Sequence, residues 1–155
     1  LGGLAINLSG ASLQHPQFLE RLLVELDAYA DVAQRLWLEV SEAGALQNIQ
    51  TFKTLCAEIK TRGCRVGLEH FGHQFSQIGR LHELGLDYLK VDASFVRGIE
   101  SNGGNAAFLK GLCSIDHSIG LLVLAEGVTL QEELEVLLSI GFDGATGPGV
   151  KNPVN

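Results

Sequence analysis

Apolar positions along this chain follow two alternating patterns. Short runs with the apolar, branched content of strands occur at Gly3–Leu8, Arg35–Ser41, Cys64–Leu68, Asp87–Val91 and Leu121–Ala125, with a last short one over Phe142–Ala145. Between them the apolar residues fall at intervals of three and four, which predicts helix faces. Phe18, Leu22, Leu23 and Leu26 form one such face, with Pro16 at the expected first helical position. Ile49, Phe52, Leu55, Cys56 and Ile59 form the next, followed by a shorter helix marked by Ile78, Leu81 and Leu84. Phe108, Leu109, Leu112 and Ile115 predict a further helix, and Leu130–Ile140 the last. Gly63, Gly85, Gly120 and Gly141 stand where these helices should stop.

Strand and helix alternating over the whole length, joined by short glycine-marked links, specify parallel strands with right-handed crossovers. About six such units are visible, with no low-complexity stretch and no domain boundary, so residues 1–155 read as a single α/β domain. In such folds chemistry collects at the carboxyl ends of strands. Asn7, Glu39, Glu69, His70, Lys90, Asp92, Glu126 and Thr146 all fall there, and are expected to converge on one mouth. The run Val66-Gly67-Leu68 ending in Glu69-His70-Phe71-Gly72 is the sharpest case, because a buried parallel strand has no need of a carboxylate and an imidazole.

Composition narrows the partners. With 46% hydrophobic residues in 155, the chain can bury a core, and no apolar run approaches the roughly 18 residues that cross a bilayer. A net charge of −7 with 11 Lys and Arg offers no basic face for a nucleic-acid polymer, while leaving room for a small anionic ligand. The three cysteines, Cys56, Cys64 and Cys113, lie in apolar contexts without CxxC spacing and read as buried thiols of a reducing, cytoplasmic compartment.

Four motifs, in order and each at a strand end, resemble those of the EAL domains, which bind or hydrolyse the bacterial second messenger cyclic di-GMP on a TIM-like (β/α) barrel. They are Asn7-Leu8-Ser9, Leu38-Glu39-Val40-Ser41-Glu42, Leu89-Lys90-Val91-Asp92-Ala93-Ser94-Phe95-Val96 and Ala125-Glu126-Gly127-Val128. The resemblance assigns Asn7 and Glu39 to metal ligation, Lys90 to positioning of water and Glu126 to the metal site. It also implies an incomplete barrel that begins at the third strand, with the Glu-Ala-Leu signature upstream and neighbouring sequence completing the fold. A homodimer, attached sensory, HAMP or GGDEF-type domains, and a place in the cytoplasmic part of an inner-membrane protein are further expectations from the family.

Two motifs depart from those of active members. The paired aspartates before Phe-Gly are Glu69 and His70, and the terminal Gln-Gly-Tyr is Thr146-Gly147-Pro148. Two-metal phosphodiester hydrolysis needs carboxylates bridging ions about 3.5–4 Å apart. Glu69 displaces its carboxylate by a methylene, and an imidazole cannot bridge two hard Mg²⁺ ions, although it would suit zinc or iron. The pattern therefore resembles the LapD-type receptors, whose degenerate EAL modules bind the dinucleotide without cleaving it. On that reading no cofactor is needed, and Asn7, Glu39, Glu69, Asp92 and Glu126 face the ligand. Gly147 would allow close backbone approach, and Pro148 or Pro153 would pack against a base. The alternatives are a phosphodiesterase using Mg²⁺ or Mn²⁺ at a divergent site, and a nucleotide-free dimerisation module.

Overall fold

Two of the strands start in the same way, on the triplets Gly85-Leu86-Asp87 and Gly141-Phe142-Asp143. In each the glycine takes a positive φ, 69° and 116°, that stops the preceding helix, and the apolar residue is buried. The aspartate then grips the neighbouring strand. Asp87 accepts from Val66 N at 2.8 Å through its side chain and donates its own N–H to Val66 O. Asp143 does the same to Val123, at 2.7 Å and 2.8 Å. A charged acceptor on a strand N–H makes a strong hydrogen bond, and it fixes the point at which the next strand starts.

The structure, a computed structural model, describes residues 3–150. Six strands run in it, β1 (Leu4–Leu8), β2 (Leu36–Ser41), β3 (Arg65–Phe71), β4 (Tyr88–Val91), β5 (Leu122–Ala125) and β6 (Gly144–Ala145). The helices are α1 (Gly10–Gln14), α2 (Phe18–Ala28), α3 (Ala30–Ala33), α4 (Glu42–Gln47), α5 (Ile49–Thr61), α6 (Ala93–Val96), α7 (Gly103–Ser118) and α8 (Gln131–Ile140), with 3₁₀ turns at Phe75–Glu83 and Ile99–Ser101. The chain divides into two compact units: one reaches from the amino-terminal end to Glu69 and includes His73–Asp87, and the other comprises His70–Gly72 and everything from Tyr88 on.

In the first unit β1, β2 and β3 pair in parallel in that order. Leu36, Leu38, Val40, Val66 and Leu68 are buried, as are Phe52, Leu55, Cys56 and Ile59 along one stripe of α5. Each large side chain so buried contributes about 1.5–3 kcal/mol. In the second unit β4, β5 and β6 pair in parallel, and Tyr88, Leu89, Val91, Val123 and Ala125 are buried, together with Leu109 and Leu112 of α7 and Leu137 of α8. The α/β expectation with six parallel strands is borne out.

Some local expectations change. Pro16 lies in a turn two residues before α2, because Ser9 caps a separate short helix, α1, by accepting from Ser12 N at 3.0 Å. The segment expected as a helix around Ile78 is a 3₁₀ helix, and its apolar interval of three residues is the period of that tighter winding. Strand β3 runs past its apolar stretch through Glu69 and His70. Leu4 and Ile6 of the apolar strand β1 are 61% and 38% exposed. No helix among the described residues is long and apolar enough to cross a membrane.

All three cysteines are free and buried. Burial pushes the thiols of Cys56 and Cys113 up to about 12, so neither is a nucleophile near neutrality.

Asp116, on α7, is wholly buried and neither carboxylate oxygen has a hydrogen-bond partner among the described residues. Burial raises its pKa from 3.8 to about 6, against a smaller lowering by His117. The folded state thus holds this proton more tightly than the unfolded chain. Its contribution to stability is complete below about pH 4 and is lost as pH rises through about 6, an effect of up to roughly 3 kcal/mol. Asp116→Asn is expected to raise the melting temperature at pH 8 and to flatten the fall in stability between about pH 4 and 7, which thermal melts across that range will measure.

Candidate functional site

In the first unit the parallel register sets Asn7 beside Glu39 and Glu39 beside Gly67. Register partners share a face and lie roughly 4.8 Å apart along the hydrogen-bonding direction, so Asn7 and Glu39 present their side chains as neighbours. Gly67 adds no side chain next to Glu39, which is only 3% exposed. Glu69 stands two residues further along the same face, opposite Ser41, and is half-buried. Asn7 itself is exposed.

Just beyond β2, Ser41 caps α4 by accepting from Gly44 N at 3.1 Å. Glu42, the first residue of that helix, is buried, and its carboxylate reaches the loop that follows β3. It accepts from His73 N at 3.1 Å and from Gln74 N at 3.2 Å. Glu42 had been quoted only as part of a motif. Its spacing of three from Glu39 was the available signal, since that interval turns a side chain from the strand face into the start of the helix.

In the second unit Lys90 pairs in register with Leu124 and Val91 with Ala125, which brings the ends of β4 and β5 level. Lys90, Asp92, Leu124 and Glu126 therefore share a face. Asp92 has two roles. Its Oδ1 accepts from Ser94 N at 2.9 Å and caps α6, while its Oδ2 lies 3.0 Å from Nδ1 of His70. Glu126 Oε2 lies 3.1 Å from the same Nδ1 and 3.3 Å from the backbone N of His70. The two carboxylates are largely covered, with side chains 18% and 13% exposed, whereas the imidazole is 58% exposed.

The loop after β6 is tied to the segment that follows Glu126. Thr146 donates N–H to Ala125 O and accepts from Val128 N at 3.0 Å, and Gly149 N donates to Val128 O. Gly147 has φ +134°, and a Cβ there would lie 2.3 Å from Val128 O. Its glycine is thus required by backbone packing, and a side chain at 147 would displace the loop whether or not ligand contacts it. Pro148 is exposed beside it, and Pro153 lies outside the described residues.

The family resemblance implies a pair of hard divalent ions, which take oxygen ligands in near-ideal octahedra. At the ends of β4 and β5 the carboxylates of Asp92 and Glu126 turn toward a ring nitrogen instead. A Mg²⁺ pair does not fit this donor set.

The Glu42 contacts predict how the loop after β3 is held. Glu42→Gln keeps the volume and removes the charge, so the amide protons of His73 and Gln74 are expected to exchange about tenfold faster or more, corresponding to a loss of about 1.5–3 kcal/mol in charge-assisted bonding. Hydrogen exchange resolved by residue will measure it.

Comparison with known proteins places the chain in a family. The EAL domain family model matches residues 2–153. Cyclic di-GMP phosphodiesterase PdeF of Escherichia coli (strain K12) is 32% identical over 149 residues, which are 96% of this chain and 20% of that protein. Cyclic di-GMP phosphodiesterase PdeB of Shewanella oneidensis is 29% identical over 97% of this chain and 18% of its own. The chain spans about a fifth of the length of these curated relatives. Among solved structures, the FimX EAL domain from Pseudomonas aeruginosa bound to c-di-GMP has a TM-score of 0.87 at 29% identity, covering 97% of this chain and 62% of that one. Vibrio cholerae LapD, solved as S helix-GGDEF-EAL with c-di-GMP, shares the fold at a TM-score of 0.86 and 22% identity over 94% of this chain and 36% of that one. With the family model matching residues 2–153, nearly all of its length, this chain belongs to the EAL domain family.

Proposed function

We propose that this chain binds cyclic di-GMP as a receptor and does not cleave it. Binding is supported by the likeness to the FimX EAL domain, which was solved with that dinucleotide. The lack of cleavage is carried by one observation: at the second of the family's paired aspartate positions stands His70, whose Nδ1 faces the carboxylates of Asp92 and Glu126. Hydrolysis by two metals needs one ion to generate hydroxide and both to stabilise the in-line displacement. Losing about 4 kcal/mol of that stabilisation slows the reaction about a thousandfold.

On this reading the phosphates are met by Lys90 and by backbone N–H groups, and the bases rest on flat or apolar surfaces, with Pro148 as a candidate. Asp92 and Glu126 face the polar edge of the ligand or order water around it. Attached domains or a partner would read occupancy, most simply through a homodimer.

The phosphodiesterase reading has one observation in its favour, the activity in the name of the relative that shares 32% identity. Isothermal titration with cyclic di-GMP, with and without EDTA, together with product analysis in Mg²⁺ and Mn²⁺, separates the readings in protein that contains the complete domain. The expected outcome is saturable binding that survives EDTA, with no linear dinucleotide formed. Turnover in either metal would establish the enzyme instead, and neither binding nor turnover would leave a dimerisation module.

A further inference from the structure

Among the described residues, His70 alone of the non-glycine residues has a positive φ, 53°. Such a backbone is uncommon for a side chain of this size, and it persists only where surrounding interactions hold it. Three contacts hold it here. The imidazole Nδ1 lies 3.0 Å from Asp92 Oδ2 and 3.1 Å from Glu126 Oε2, and the backbone N of the same residue lies 3.3 Å from Glu126 Oε2.

Ionised carboxylates only accept hydrogen bonds, so the tautomer that satisfies both is the one with the hydrogen on Nδ1. A pair of carboxylates brought this close repel each other unless something positive, or a donor, stands between them. A hard divalent cation is one solution. We propose that His70 is the other: an internal donor that takes the place of a cation between Asp92 and Glu126, and so excludes hard divalent ions such as Mg²⁺ and Mn²⁺ from this pocket. The backbone bend at 70 is what brings the ring to that place. Because the imidazole is 58% exposed while both carboxylates are mostly covered, its removal would uncover an acidic pair without opening the core.

This inference deepens the receptor reading and rests on it for its biological sense, since a site with a built-in donor would bind nucleotide without regard to the supply of divalent ions. The specificity-determining residue would then be the one at which this chain departs from a pair of aspartates. Asp92, besides holding the imidazole, caps α6, so the same carboxylate ties the pocket to the helix that follows β4.

The test uses Mn²⁺ alone, without nucleotide, so that it fails or succeeds separately from the receptor reading. Mn²⁺ binding is followed by the loss of the free-ion electron paramagnetic resonance signal, and by the shift in melting temperature. The parent protein is expected to show no saturable Mn²⁺ binding up to about 1 mM, which spans the range of weak carboxylate sites. His70→Gly, which tolerates the positive φ, is expected to bind Mn²⁺ at least about tenfold more tightly and to gain melting temperature on its addition. His70→Asn, which also accepts this backbone, serves as the second variant should the first fold poorly. In the unmodified protein, ¹⁵N spectra of histidine should show the His70 Nδ1 bearing a hydrogen, unchanged by Mn²⁺. Saturable Mn²⁺ binding by the parent, an unprotonated Nδ1, or folded variants that gain no affinity would each overturn the proposal.

Discussion

A parallel strand begins with a backbone N–H that no hairpin partner supplies, and this chain meets that constraint with aspartate. Asp87 and Asp143 each sit one residue before a strand, and each exchanges a side-chain and a backbone hydrogen bond with the second residue of the strand before it. Those bonds fix the point at which the chain turns into its next strand. Register in turn decides which side chains share a face, because a slip of one residue would exchange the polar set for the apolar one. The registers of β1 on β2 and of β4 on β5 set Asn7 beside Glu39 and bring Lys90 onto the face of Glu126.

Acidic residues therefore do two kinds of work in a chain of net charge −7. Some are built into the scaffold. Burial pushes the Glu133 carboxyl up, but N–H donors from Gly98, Thr129 and Leu130 and the Thr129 hydroxyl outweigh it and hold the carboxyl below its ordinary value. That carboxylate joins the start of α8 to the turn after α6. Glu42 ties a loop to a helix start in the same manner. Others, Asp92 and Glu126, are gathered at strand ends around an imidazole, where they leave a surface of mixed donors and acceptors. A carboxylate satisfied by backbone N–H groups steadies the fold, while one facing a side chain can exchange that partner for a ligand.

Much of the candidate site was legible because strand ends can be recognised in sequence. A β-branched, apolar run that stops at Glu39, at Asp92 or at Glu126 marks its own carboxyl end, and parallel connections put such ends on one side. Other features left no such mark. The work of Glu42 depends on a loop more than thirty residues away reaching back to it. Asp116 sits among helical residues like any polar position on a helix, and only packing shows that neither of its oxygens has a partner among the described residues. Gly147 reads as loop flexibility in the sequence, yet its backbone is packed against Val128.

The sequence by itself determined the alternation of elements, the parallel class, the motifs of the EAL family and the identity of the residues at each strand end, because these depend on local period and on which residue types a buried strand accepts. Only the tertiary structure decided that the imidazole of His70 turns between Asp92 and Glu126. That choice requires a left-handed backbone at one residue and contacts 22 and 56 positions away along the chain. A backbone angle held by distant partners has no local signature. His70 in the sequence is only an imidazole at the end of a strand, and its two partners are what give it a place.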